Sequence, residues 1–122
     1  MAKTIKLKRV YEAPAASDGT RILVDRLWPR GIAKDKAKVD LWLKVIAPSD
    51  VLRKRFHGHP EDWDDFREAY AAELKGEEAQ AAVTALRGRL RAGTVTLLYA
   101  ARDEEHNNAV ALKQWLTRRR GR

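Results

Sequence analysis

Two short and almost wholly apolar runs, residues 22–24 and 94–100, each stop abruptly in a loop crowded with charge, and this limits the folds open to the chain. Ile22, Leu23 and Val24 have no polar residue among them, so a strand there suits a sheet buried on both faces, as parallel sheets are. Pro29 and Gly31 end the run and deliver Asp25, Arg26, Trp28 and Arg30 together at its exit. The second run, Thr-Val-Thr-Leu-Leu-Tyr-Ala, is rich in β-formers and lies between Gly93 and a charged cluster, which reads as another buried strand.

Residues 4–10 alternate, with Ile5 and Leu7 between lysines, as a half-buried strand near a sheet edge does. Asp18-Gly19 suits a tight reversal into the strand at 21–25, which predicts that these two strands are neighbours. Leu41, Leu43 and Val45 alternate as a third strand would, with a short helix as the alternative.

Helical signals fill the intervals. Ser49 is a cap for a helix over about 50–57 that Gly58 ends, and Pro60 suits the first position of the next, followed by Glu61 and Asp62 at its positive end. Trp63, Phe66, Tyr70 and Leu74 recur every three or four residues and form a core stripe. Gly76 is expected to close that helix in the left-handed conformation, after which Ala79, Val83, Leu86 and Leu90 make another stripe. A last helix over 107–118 presents Val110, Leu112, Trp115 and Leu116, with Asn107 or Asn108 as its cap. The alternation predicts an α/β fold: a single small domain over residues 1–122, about four mainly parallel strands covered by helices, ending in a short basic tail.

In such sheets, ligands gather outside the carboxyl ends of the strands. If the two buried strands are parallel neighbours about 4.8 Å apart, their exit loops come within side-chain reach. Asp25, Arg26, Arg30, Arg102, Asp103 and His106 then surround one pocket. Guanidinium forks match phosphate or carboxylate oxygens, and a helix starting at Asn107 or Asn108 adds free amides. Arg26, Trp28, Arg30, Arg102, Asn107 and Asn108 are therefore candidate ligand-binding residues. Asp25, Asp103 and His106 are candidate catalytic residues, the aspartates holding the arginines or one acting as a base, and the histidine exchanging protons near neutral pH. A purely structural reading pairs Asp25 with Arg26 or Arg102, makes Trp28 and Pro29 a cap on the core, and leaves His106 to start a helix.

The segment His57-Gly-His59-Pro-Glu-Asp offers a weaker metal alternative at His57 and His59, whose spacing alone supplies no complete ligand set. No metal or other cofactor is required by the sequence. The chain has no cysteine, which removes disulfides, thiolate ligands and a thiol nucleophile, so any chemistry runs on oxygen and nitrogen groups. No run approaches the roughly 20 apolar residues of a membrane span and no apolar signal core opens the chain, so a cytoplasmic, soluble, membrane-free protein is expected.

Three motifs in this order carry a resemblance: Val-Asp-Arg-Leu-Trp-Pro-Arg-Gly at 24–31, Phe-His-Gly-His-Pro at 56–60 with Trp63 and Phe66 after it, and Thr-Leu-Leu-Tyr-Ala-Ala-Arg-Asp-Glu-Glu-His-Asn-Asn-Ala at 96–109. The chain resembles the YeaO-like group of small bacterial proteins, within a larger domain-of-unknown-function family. The resemblance implies an α/β fold and no established activity. The broader family has an Asp-Val-Arg-like strand end and a Cys-His-Arg-like element after a second strand. Asp25-Arg26 matches the first loosely, whereas Asn107-Asn108-Ala109 replaces the second, so a thiol or histidine role from that element does not transfer. The resemblance does support pairing the two loops.

The leading expectation is thus a protein that binds a small phosphate- or carboxylate-bearing ligand at the paired loops, with acid-base or hydrolytic chemistry as an extension. The alternative is a nucleic-acid-binding or regulatory module. It draws on the net charge of +8, the terminal arginines from Arg118 to Arg122 and a Trp28 able to stack on a base. A third reading gives that basic, aromatic surface to another protein. Nothing in the sequence sets an oligomeric state.

Overall fold

The computed structural model describes residues 4–118; most of the basic C-terminal tail lies outside them. Four strands form one sheet: β1 (Ile5–Arg9), β2 (Thr20–Leu23), β3 (Leu41–Trp42) and β4 (Val95–Tyr99). The order is β1-β4-β2-β3, and every pairing is parallel. Five helices accompany it: α1 (Lys34–Ala37), α2 (Asp50–Phe56), α3 (Trp63–Leu74), α4 (Glu77–Ala92) and α5 (Asn108–Thr117). The fold is α/β, as the alternation predicts. No helix among the described residues is long and apolar enough to cross a membrane.

The register explains both faces of the sheet. Leu7, Leu97 and Ile22 stand in one row across β1, β4 and β2 and point to the helical side. There Ile22, Val95 and Leu97 meet Phe66, Tyr70 and Leu74 of α3, Leu86 of α4 and Leu112 of α5 in the main core. Leu23 and Leu98 point the other way, into a smaller cluster with Val10, Ala37, Trp28 and Trp42. All five residues of β4 are buried. A strand with apolar groups on both faces belongs at the centre of a sheet, and one carrying Lys6 and Lys8 belongs at its edge.

That preference overturns the expected β1–β2 pairing, because β4 sits between them. The segment between β1 and β2 crosses β4 instead of reversing, and Gly19 serves a different need. Its φ is 67°, and a Cβ there would lie 2.1 Å from the Thr94 carbonyl oxygen, so only glycine permits this close approach. The neighbouring Thr20 amide donates to that same oxygen at 3.0 Å.

Two more expectations are corrected. The third strand has only two residues, after which Lys44–Ile46 form a single 3-10 turn that carries Ile46 into the core. The Ile46 carbonyl accepts from the buried Tyr70 hydroxyl at 2.5 Å, a bond that a continued strand would forfeit. Gly76 has φ −72° and stands before α4 as its N-cap, so α3 does not close through a left-handed glycine. Helix starts follow the sequence more closely: the Ser49 hydroxyl accepts from the Leu52 amide at 3.1 Å, and the Asn107 side chain accepts from the Val110 amide at 2.9 Å.

Candidate functional site

β2 and β4 are parallel neighbours, so both exit at the same edge of the sheet. Asp25, the second residue past β2, joins the two exits. One of its carboxylate oxygens accepts from the Ala100 amide at 2.9 Å, just past β4, and the other from Asn108 Nδ2 at 3.1 Å, in the first turn of α5. Asn108 Nδ2 also donates to the Val24 carbonyl at 2.8 Å, and Trp42 Nε1 donates to the Asp25 carbonyl at 2.7 Å. Burial pushes the Asp25 carboxyl above its ordinary range, against the opposing pull of Asn108, the Ala100 amide and Arg53.

Past this bridge opens a cleft of about 750 Å³. All nine candidate residues from the two loops border it: Asp25, Arg26, Trp28 and Arg30 from one, and Arg102, Asp103, His106, Asn107 and Asn108 from the other. The α2–α3 junction supplies the facing wall with Phe56, His57, His59, Trp63 and Phe66. The chain's three histidines therefore share one cleft.

Within the cleft the residues divide by how far the fold already occupies them. Arg26 donates to the Ala47 and Pro48 carbonyls at 3.1 and 3.3 Å, so its guanidinium fastens the β2 exit to the chain before α2. Trp28 gives its indole N–H to the Ile32 carbonyl at 2.8 Å and sets its ring edge-on to Trp42 at 5.4 Å. Asn107 caps α5 and donates to the Asp103 carbonyl at 2.8 Å. Arg30 and Arg102 are exposed, and their guanidinium groups have no partner among the described residues. Asp25 pairs with neither Arg26 nor Arg102; neutral donors satisfy it instead.

Asp103 and His106 form a pair of their own. Asp103 Oδ1 accepts from the Glu105 and His106 amides at 2.9 Å, and Oδ2 lies 3.1 Å from His106 Nδ1. Those two amides, with the imidazole, hold the Asp103 carboxyl below its ordinary range. The His106 ring meets Trp63 edge-on at 5.3 Å, which fixes its plane from the opposite wall and leaves Nε2 as the nitrogen without a partner among the described residues.

His57 and His59 do not assemble a joint ligand set. His59 instead pairs with Glu61 at 3.1 Å, and with Asp62 these three bring ligand atoms within 4.8 Å of one another, all on groups well open to solvent. Sequence reasoning missed the wall-forming role of Trp63 and Phe66, which their helical spacing assigned to the core, and it missed Phe56, Tyr11 and Arg53 as cleft residues. It also missed a network at the other end of β2. There the buried Asp18 carboxylate accepts from Lys8 at 3.0 Å, from Arg21 at 2.6 Å and from the Ala15 amide at 3.0 Å.

The model of the family described as the inactive DUF488-N3 subclade matches residues 4–122. The chain belongs to that subclade. Among the similar relatives of this DUF488-N3 protein is the uncharacterized protein YeaO of Escherichia coli K12, 47% identical over 112 residues, which cover 92% of this chain and 96% of YeaO. The uncharacterized protein Rv3073c of Mycobacterium tuberculosis H37Rv is 41% identical over 115 residues, covering 94% of this chain and 95% of the relative. The YeaO-like resemblance carried by the three motifs is thereby established. No solved structure matches the chain.

Proposed function

We propose that this DUF488-N3 protein binds a small phosphate- or carboxylate-bearing ligand in the cleft and does not turn it over. The observation that carries the reading is the pair of unpartnered guanidinium groups, Arg30 and Arg102, which two separate strand exits bring to one concave site. A volume near 750 Å³ falls in the range of small-molecule sites. Four arginines border it against two carboxyl groups, Asp25 and Asp103, so an anion is the favoured guest.

The absence of turnover rests on chemistry and kinship. No serine, threonine, lysine or cysteine borders the cleft among the described residues, so a nucleophile of those four types is missing. The Asp103–His106 pair has the spacing of a base and its orienting group. The family's description as inactive favours a binding role for that pair, with Nε2 of His106 meeting the ligand.

Inorganic phosphate at tens of millimolar is expected to raise the melting temperature of the parent by mass action. Arg30→Ala combined with Arg102→Ala is expected to remove most of that rise, measured against equal ionic strength of chloride. A double variant stabilised as much as the parent overturns the placement of the anion.

A second reading, nucleic-acid binding, draws on a different surface. The guanidinium groups of Arg87 and Arg118 lie 5.5 and 5.4 Å from the Trp115 ring, making a basic, aromatic patch on α4 and the end of α5. Contact with about four duplex phosphates gives a log-affinity against log-salt slope of about −3.6. Binding whose affinity is flat in salt excludes this reading.

A further inference from the structure

The two walls of the cleft differ in chemistry, and that difference bears on what the anion is attached to. The cationic side comes from the β2 and β4 exits and ends in Arg30, Arg102 and the free Nε2 of His106. The opposite side is a series of rings. Tyr70 and Phe66 stack at 5.7 Å with planes 29° apart, and Phe66 and Trp63 stack at 5.6 Å with planes 23° apart. Tyr70 and Phe66 are buried in the core, whereas Trp63 is half-buried and borders the cleft. Phe56, also half-buried, sets its edge against Phe66 at 5.7 Å and borders the same space.

From this arrangement we infer that the ligand joins a planar aromatic ring to a phosphate monoester, as a nucleoside monophosphate does. The inference rests on the anion-binding reading above. A bare phosphate or a short carboxylic acid occupies a small part of 750 Å³ and leaves the ring wall without a role. A ring lying along Trp63 and Phe56 extends the existing stack, and stacking of this kind accepts any base because every base has a π-face. A phosphate monoester carries nearly two negative charges, which matches two unpartnered guanidinium forks better than a single carboxylate does. The two walls come together where the His106 and Trp63 rings lie 5.3 Å apart, so a compound that carries both groups on one small frame reaches both.

Isothermal titration of the full chain with four probes at one pH and salt tests the inference: adenosine 5′-monophosphate, ribose 5-phosphate, adenosine and inorganic phosphate. The nucleotide is expected to bind at least about tenfold more tightly than ribose 5-phosphate, the size of one stacked base. Trp63→Leu is expected to lower nucleotide affinity by more than it lowers ribose 5-phosphate affinity, bringing the two together, the smaller loss coming from the His106 ring that Trp63 holds edge-on. Equal affinity of the parent for nucleotide and ribose 5-phosphate overturns the ring component and leaves the anion site standing. Adenosine binding as tightly as the nucleotide, or no binding by any probe, overturns the anion site as well. Because the parent alone decides between these outcomes, poor folding of the Trp63 variant does not shield the inference.

Discussion

Strand β2 has an aspartate beyond each end, and the two are treated in opposite ways. Asp18 is 3% exposed and is held by two cations and an amide. Burial alone would push its carboxyl up, but the Ala15 amide, Lys8 and Arg21 outweigh burial and hold it at about 2. Asp25 is half-buried and accepts only from neutral groups, so burial wins and its carboxyl moves up. Asp18 is enclosed by the chain and serves the fold. Asp25 faces a cleft, and its protonation alters the charge that a ligand meets. The same residue type thus acts as an anchor at one end of the strand and as part of a site at the other.

The largest effect that tests this contrast comes from the anchored end. Asp18→Asn leaves Arg21, 4% exposed, without its counter-charge, and breaking a buried pair of this kind costs about 3–5 kcal/mol. Chemical denaturation should show that loss at neutral pH. The sign with pH follows from the lowered value: Asp18 contributes stability above its ordinary range near 3.8, and that stability is lost as pH falls through about 2. The variant should lack this acid limb. A variant as stable as the parent would mean that Lys8 and Arg21 need no partner there.

A smaller loss is expected at the open end. Asp25→Ala removes the acceptor for the Ala100 amide and for one bond of Asn108 Nδ2, which retains the Val24 carbonyl. Leaving such donors unsatisfied costs about 1–3 kcal/mol. Hydrogen exchange should locate the loosening at residues 25–31 and 100–108, with the core of β4 still protected. Uniform loss of protection across the sheet would place Asp25 with Asp18 as a general anchor.

How much of this contrast can be read in the sequence differs between the two ends. The exit loops announce themselves, since apolar runs ending in Asp25-Arg26 and in Arg102-Asp103 both stand out and the parallel rule brings them together. Ser49 and Asn107 declare their caps because capping is local. Asp18 looks like a turn residue next to glycine, and nothing nearby shows that Lys8 and Arg21 converge on it, because that depends on β4 lying between β1 and β2. The partners of Asp25 are equally hidden, as a backbone amide leaves no mark in a sequence and the adjacent arginine invites the wrong pairing. The ring wall is hidden for a third reason: Trp63 and Phe66 share one helical stripe with Tyr70, and a period of 3.6 reads the same whether the stripe meets a core or a cleft.

The smallest effect is the most specific to the open end. Sulfate, whose charge is constant over the working range, reports the cleft's charge without titrating itself. Above the raised range of Asp25, its ionised carboxylate repels the anion; below that range the repulsion is gone, so affinity falls as pH rises through it. His57, His59 and His106 border the same cleft and, where they gain protons, act in the same direction, so the parent's profile alone does not isolate Asp25. Comparison with Asp25→Asn does, since that variant keeps the histidines and Asp103. Above the raised range of Asp25 it should bind sulfate about fivefold more tightly than the parent, the effect of removing a repulsion of ~1 kcal/mol. The two should converge in acid, where both carry a neutral group at position 25. Parallel profiles with no convergence would show that Asp25 is screened from the ligand and serves the fold alone, as Asp18 does.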